Sequence, residues 1–191
     1  MIRASTRLAI GAALWLASGC MLPAKSPPDT RYALGRRPTA SEIAAWDIDI
    51  MPDGTGLPDG SGNVVDGRTL YAARCQRCHG AGGRGGPFDQ LAGRIPDDAF
   101  PFALDPRVKH TIGNYWPYAT TIFDYTRRAM PQDRPGSLTN DEVYSLTAYL
   151  LYLNELLDEK ATLDRETLPQ IVMPARDRFI PDDRRGGPEV R

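Results

Sequence analysis

The chain has 191 residues, 41% of them hydrophobic, with 23 basic and 24 acidic side chains and a formal charge of −1. That is enough for one domain of ordinary size with extensions, and a near-neutral chain offers no basic field, which excludes nucleic acid as a partner. Eighteen glycines and seventeen prolines exceed the usual combined share of about one residue in eight, so long irregular stretches are expected around the core.

Arg3 and Arg7 precede an apolar run, Leu8 to Ser18, that ends in small residues. This reads as an export signal, and it is too short to span a bilayer, which takes about 20 apolar residues. The ending Leu16-Ala17-Ser18-Gly19-Cys20 is similar to a bacterial lipoprotein signal, with the leucine one residue further from the cysteine than usual. Residues 1–19 are therefore expected to be a lipoprotein-type signal peptide. Cys20 would be lipidated and would anchor a periplasmic protein to the membrane; ordinary signal cleavage with Cys20 incidental is the alternative. Without Arg3 and Arg7 the mature chain carries 21 basic and 24 acidic residues.

Residues 20–62 are rich in proline, glycine and aspartate and read as an extended N-terminal arm. One short helix is predicted within it over 39–46, with Thr39 as cap and Glu42 three residues on. Periodic apolar positions then mark a compact domain over 63–158. Its closing helix is predicted over 140–157: Thr139-Asn140-Asp141-Glu142 forms a capping box, and Val143, Leu146, Leu150, Leu153 and Leu157 recur at helical spacing. Beyond it, Pro169, Pro174, Pro181 and Pro188 forbid one continuous helix, so 159–191 reads as a tail that wraps a surface or stays loose. No repeat is visible and no stretch alternates long enough to demand a sheet, so the fold class is all-α.

The chemistry is concentrated in Cys75-Gln76-Arg77-Cys78-His79, the spacing of c-type haem attachment. Two cysteines three apart on one helical turn can each add a thiol across a haem vinyl group, and the adjacent histidine then faces the iron. A zinc site would want four ligands, and only His110 and Cys20 could complete it. A thioredoxin-like pair would need a βαβ setting, and a Cys75–Cys78 disulfide would close a strained small loop. Export agrees with haem, which is attached outside the cytoplasm. One covalent haem c is thus expected, with His79 as one axial ligand.

The second axial ligand is expected from Met130, in Arg128-Ala129-Met130-Pro131, where the proline fixes the backbone before the closing helix. A thioether there raises the reduction potential and fills the site, which favours electron transfer over ligand binding. The rivals are Met173 and His110; a gap-filling core methionine is the plain alternative for Met130. Gly80, Gly82, Gly83, Gly85 and Gly86 form a loop after the ligand histidine and are expected to let backbone approach the ring. Tyr115 and Trp116 are candidates for lining the haem, and Arg127 and Arg128 for reaching its propionates, against a reading as core aromatics and surface arginines.

With these residues the chain resembles class I cytochromes c over about 67–157: a helix ending in the attachment motif, a loop, a short helix before Met130 and a closing helix. The resemblance implies that the first and last helices cross, with Gly67, Leu70 and Tyr71 against Leu146, Tyr149 and Leu150. Four further stretches, 42–50 (EIAAWDIDI), 52–58 (PDGTGLP), 112–121 (IGNYWPYATT) and 123–131 (FDYTRRAMP), resemble the cytochrome subunits that accompany molybdenum sulfite-oxidase-type dehydrogenases in bacterial sulfur oxidation. That resemblance implies electrons arriving from a molybdenum-cofactor subunit and leaving to a downstream cytochrome or oxidase, with no substrate chemistry on this chain. The lipid signal departs from it, since those subunits are commonly soluble in the periplasm. A lipid-anchored shuttle between a respiratory complex and a terminal oxidase is the alternative function, and an enzyme or sensor with an open iron is a third.

Overall fold

The computed structural model describes residues 35–96 and 99–180, so the expected signal peptide and Cys20 lie outside the described residues. The described residues fall into two units that divide after Trp46.

In the first unit, α1 (Ala40–Trp46) starts where the capping box predicts. The Thr39 hydroxyl accepts from the Glu42 amide at 3.2 Å, and the Glu42 carboxylate accepts from the Thr39 amide at 2.8 Å. Arg36 pairs with the same carboxylate, and that pairing, with the Thr39 bonds, holds Glu42 down at about 2. None of its seven residues is buried, and a helix this short does not hold by propensity; the cap and the ion pair carry it.

The second unit is built on α5 (Asn140–Leu153), capped by the Thr139/Glu142 box. Every residue from Val143 to Leu151 is buried, so this helix is a central post covered on all sides. Against it lies α2 (Val64–Arg74), whose first turn is closed by Asn63 accepting from the Asp66 amide at 2.9 Å. The two cross at Gly67, where a Cβ would sit 1.9 Å from the Ser145 carbonyl oxygen and 2.8 Å from Tyr149 Cβ. One turn on, the Tyr71 and Tyr149 rings meet at 5.3 Å. The implied helix crossing is present. A third helix, α4 (Ala119–Ala129), packs Phe123 onto Tyr144 of α5 with ring centroids 4.4 Å apart. The single turn α3 (Gln76–His79) continues α2 past Cys75.

Three corrections follow from packing. The arm was expected to run to residue 62 and the tail to begin at 159, yet Ile50 and Leu57 before the domain and Leu163, Leu168, Met173 and Ala175 after it are all buried in the same unit. These apolar residues stand singly among prolines and turns, so they have no periodicity to read. A two-stranded ribbon joins the two segments, β1 (Ser61–Asn63) antiparallel to β2 (Thr162–Asp164) with Gly62 opposite Leu163. Strands of three residues lie below any alternation signal. Finally, α5 stops at Leu153, because the buried Asn154 turns its side chain back on the chain. It donates to Leu150 O at 2.8 Å and Leu91 O at 3.2 Å and accepts from Gly93 N at 2.9 Å. Leu157, placed in the helix by spacing, packs on the core from the loop beyond.

The described architecture is all-α apart from this ribbon, with five helices. Among the described residues no helix is long and apolar enough to cross a membrane.

Candidate haem site

The α2–α3 junction, the end of α4 and one face of α5 enclose a cavity of about 730 Å³. Its inner wall is Tyr71, Ile122, Leu146 and Leu150, and Cys75, Cys78, His79 and Met130 all border it. The sequence therefore brings its four principal site residues to one place.

Each is held from behind. Cys78 and His79 donate their amides to Cys75 O at 3.0 Å, which winds the motif into the turn that spaces its thiols. Tyr71 donates its hydroxyl to Gly80 O at 3.0 Å, tying the turn's end to α2. His79 Nδ1 donates to Asp89 O at 2.7 Å; this fixes the tautomer and leaves the Nε2 lone pair for a metal. Both cysteines are unbridged. Burial, and then the neighbouring Cys78, push the Cys75 thiol up to about 11, so it stays protonated until it reacts.

Met130 caps the C-terminus of α4, its amide donating to Thr126 O at 3.1 Å, and the Met130–Pro131 peptide is cis. It is half-buried with its side chain on the cavity border. Met173 is 1% exposed in the hydrophobic core and does not border the cavity. His110 does border it, its ring stacked on Tyr115.

Tyr115 and Trp116 border the cavity. Arg127 and Arg128 do not: Arg128 pairs with Asp124 one turn back on α4, and neither arginine borders the cavity. The reason is helical phase. Ile122, Tyr125 and Thr126 face the cavity, and the next two residues are turned roughly 100° and 200° away. The arginines on the border are Arg74 and Arg77, the latter 3.7 Å from Asp133. The glycine loop needs a second correction, because none of its glycines borders the cavity. Gly80, at φ 78°, would place a Cβ 1.8 Å from Arg84 O, so the close approach it permits is backbone on backbone. The Asp89 carbonyl was not foreseen, since a main-chain acceptor leaves no trace in residue type.

The cavity fits haem. Its inner wall is apolar, two unbridged thiols border it, and it carries an imidazole and a thioether as the two donors an iron would need. Among the described residues no group of three or more His, Cys, Asp or Glu could hold a metal ion, so nothing gathered there supports the zinc alternative. Fold and site together define a c-type cytochrome with covalently attached haem.

A family model described as cytochrome C oxidase, cbb3-type, subunit III matches residues 62–150. The crystal structure of the sulfane dehydrogenase SoxCD from Paracoccus pantotrophus contains a chain 40% identical to this one, with a TM-score of 0.70 over 80% of this chain and 73% of that one. The chain belongs to the cytochrome c family, in the branch represented by that SoxCD chain. No curated protein matches it.

Proposed function

We propose that this electron-transfer cytochrome is the electron-accepting subunit of a molybdenum-cofactor dehydrogenase that oxidises sulfur compounds in the periplasm. The observation that carries the reading is the 40% identity to a SoxCD chain over most of both chains, which extends well outside the haem motif. Haem supplies reversible one-electron exchange at its iron. The chain's part would be to fix that group through thioethers at Cys75 and Cys78 and to supply His79 and Met130 as ligands to its iron. Tyr115 and Trp116 shield its edge, and Ile122, Leu146 and Leu150 exclude water. With the iron held by two protein ligands, the chain would perform no substrate chemistry, and electrons would leave to a downstream cytochrome or oxidase.

The signal-like run ending at Cys20 supports export and a lipid anchor. Globomycin that leaves the precursor unshifted on a gel would contradict the anchor. The partner is tested by purifying the tagged full chain from its host. Co-purification of a molybdenum protein, and reduction of the haem on adding a sulfur substrate to the pair, are expected. A cytochrome that purifies alone and stays oxidised under those conditions contradicts the assignment.

A further inference from the structure

Covalent attachment fixes which way a haem must lie. Its vinyl carbons are held at Cys75 and Cys78, and its two propionates project from the opposite edge of the macrocycle. The wall at the cysteine edge is recognisable from its bonds: Phe88 donates its amide to Cys78 O at 3.1 Å, and Arg77 pairs with Asp133. The propionate edge must be provided for elsewhere on the wall, by side chains that can donate. His110 and Tyr115 are such a pair. Both border the cavity, and among the described residues neither His110 ring nitrogen nor the Tyr115 hydroxyl has a hydrogen-bond partner.

The two rings are stacked face to face, centroids 3.9 Å apart and planes 6° from parallel. Although His110 is exposed, its backbone is pinned on both sides. Asn114, 5% exposed, donates to Lys109 O at 2.9 Å and accepts from Thr111 N at 2.8 Å. Thr111 then donates its hydroxyl to Gly93 O at 2.6 Å, and Ile112 its amide to Leu91 O at 3.2 Å. Ordering a surface imidazole costs side-chain entropy; here the stack on Tyr115 holds the ring, and a buried asparagine holds the backbone on either side of it. Of the basic neighbours, Arg107 pairs with Asp105 and Arg178 lies over the Phe100 ring, while Lys109 is exposed and Arg74 borders the cavity from α2.

We propose that His110, held flat against Tyr115, binds a haem propionate and raises the reduction potential by offsetting its negative charge. This rests on the haem site described above and assigns His110 a role at the ring edge, away from the iron.

The test uses the full haem-loaded chain and two variants. His110→Phe keeps an aromatic face for Tyr115 and removes both nitrogens; His110→Gln restores a donor without the ring. Proton NMR of the propionate methylenes, the midpoint potential and the iron–sulfur charge-transfer band are measured for each. The band is expected unchanged throughout. The propionate resonances should shift and the potential fall in His110→Phe, with most of the potential recovered in His110→Gln. Wild-type propionate resonances and potential in His110→Phe, with the band intact, would overturn the inference and leave the axial assignment standing. A wild type that already lacks the band, with a bis-imidazole spectrum that His110→Phe abolishes, would instead make His110 an iron ligand, overturning both.

Discussion

Two methionines compete for one iron in the sequence, and burial separates them. Met173 is 1% exposed and fills the core, so Met173→Ala should cost about 2–5 kcal/mol of stability, as large-to-small core changes do, while leaving the visible spectrum unchanged. Thermal melts alongside spectra of the oxidised form check this. Tyr144 gives a residue-level pH dependence. Burial raises its hydroxyl, which donates to Pro58 O at 2.9 Å, from 10.0 to about 12. A folded value above the unfolded one means the contribution to stability is full below pH 10 and is lost as pH rises toward 12. Denaturant melts across that window should fall in the wild type, and a Tyr144→Phe variant should show a flatter decline. At this scale the attachment motif was legible because its chemistry requires contiguous spacing. Arg127 and Arg128 were misplaced because residue type was read without helical phase, which Thr126 and Met130 on the cavity side would have supplied.

The crossing of α2 and α5 places Cys75 relative to the cavity, and Gly67 is its pivot. A methyl there would lie 1.9 Å from Ser145 O, so Gly67→Ala must push the helices apart at a cost of about 3 kcal/mol or more. A drop of about 10 °C in melting temperature is expected for a unit of this size; a variant melting within a degree or two of wild type would contradict the packing. Both capping boxes, at Thr39 and Thr139, were readable because they need only residues within one turn. The end of α5 was not. Asn154 stops it through bonds to Leu91 and Gly93, some sixty residues upstream, and a wheel drawn through Leu157 cannot contain that contact.

On the scale of the whole chain, proline and glycine content marked long irregular segments correctly but gave no sign of where they pack. The segment after residue 158 supplies Leu163, Leu168 and Met173 to the core, each worth roughly 1.5–3 kcal/mol when fully buried. Their sum is comparable with the 5–15 kcal/mol by which whole domains are stable. A chain truncated after Asp158 is therefore expected to lose cooperative unfolding and to retain little attached haem. A sharp wild-type melt of that truncation would show that the tail is dispensable. The tail is thus part of the hydrophobic core, although none of its described residues borders the cavity.

The central claim, one haem c ligated by His79 and Met130, is tested most directly by the visible spectrum of the purified protein and of Met130→Ala. A c-type pyridine haemochrome, together with a charge-transfer band in the oxidised wild type that disappears in Met130→Ala while CO binding to the reduced variant appears, is the predicted result. A band that survives the substitution, or a reduced wild type that already binds CO tightly at neutral pH, would contradict it.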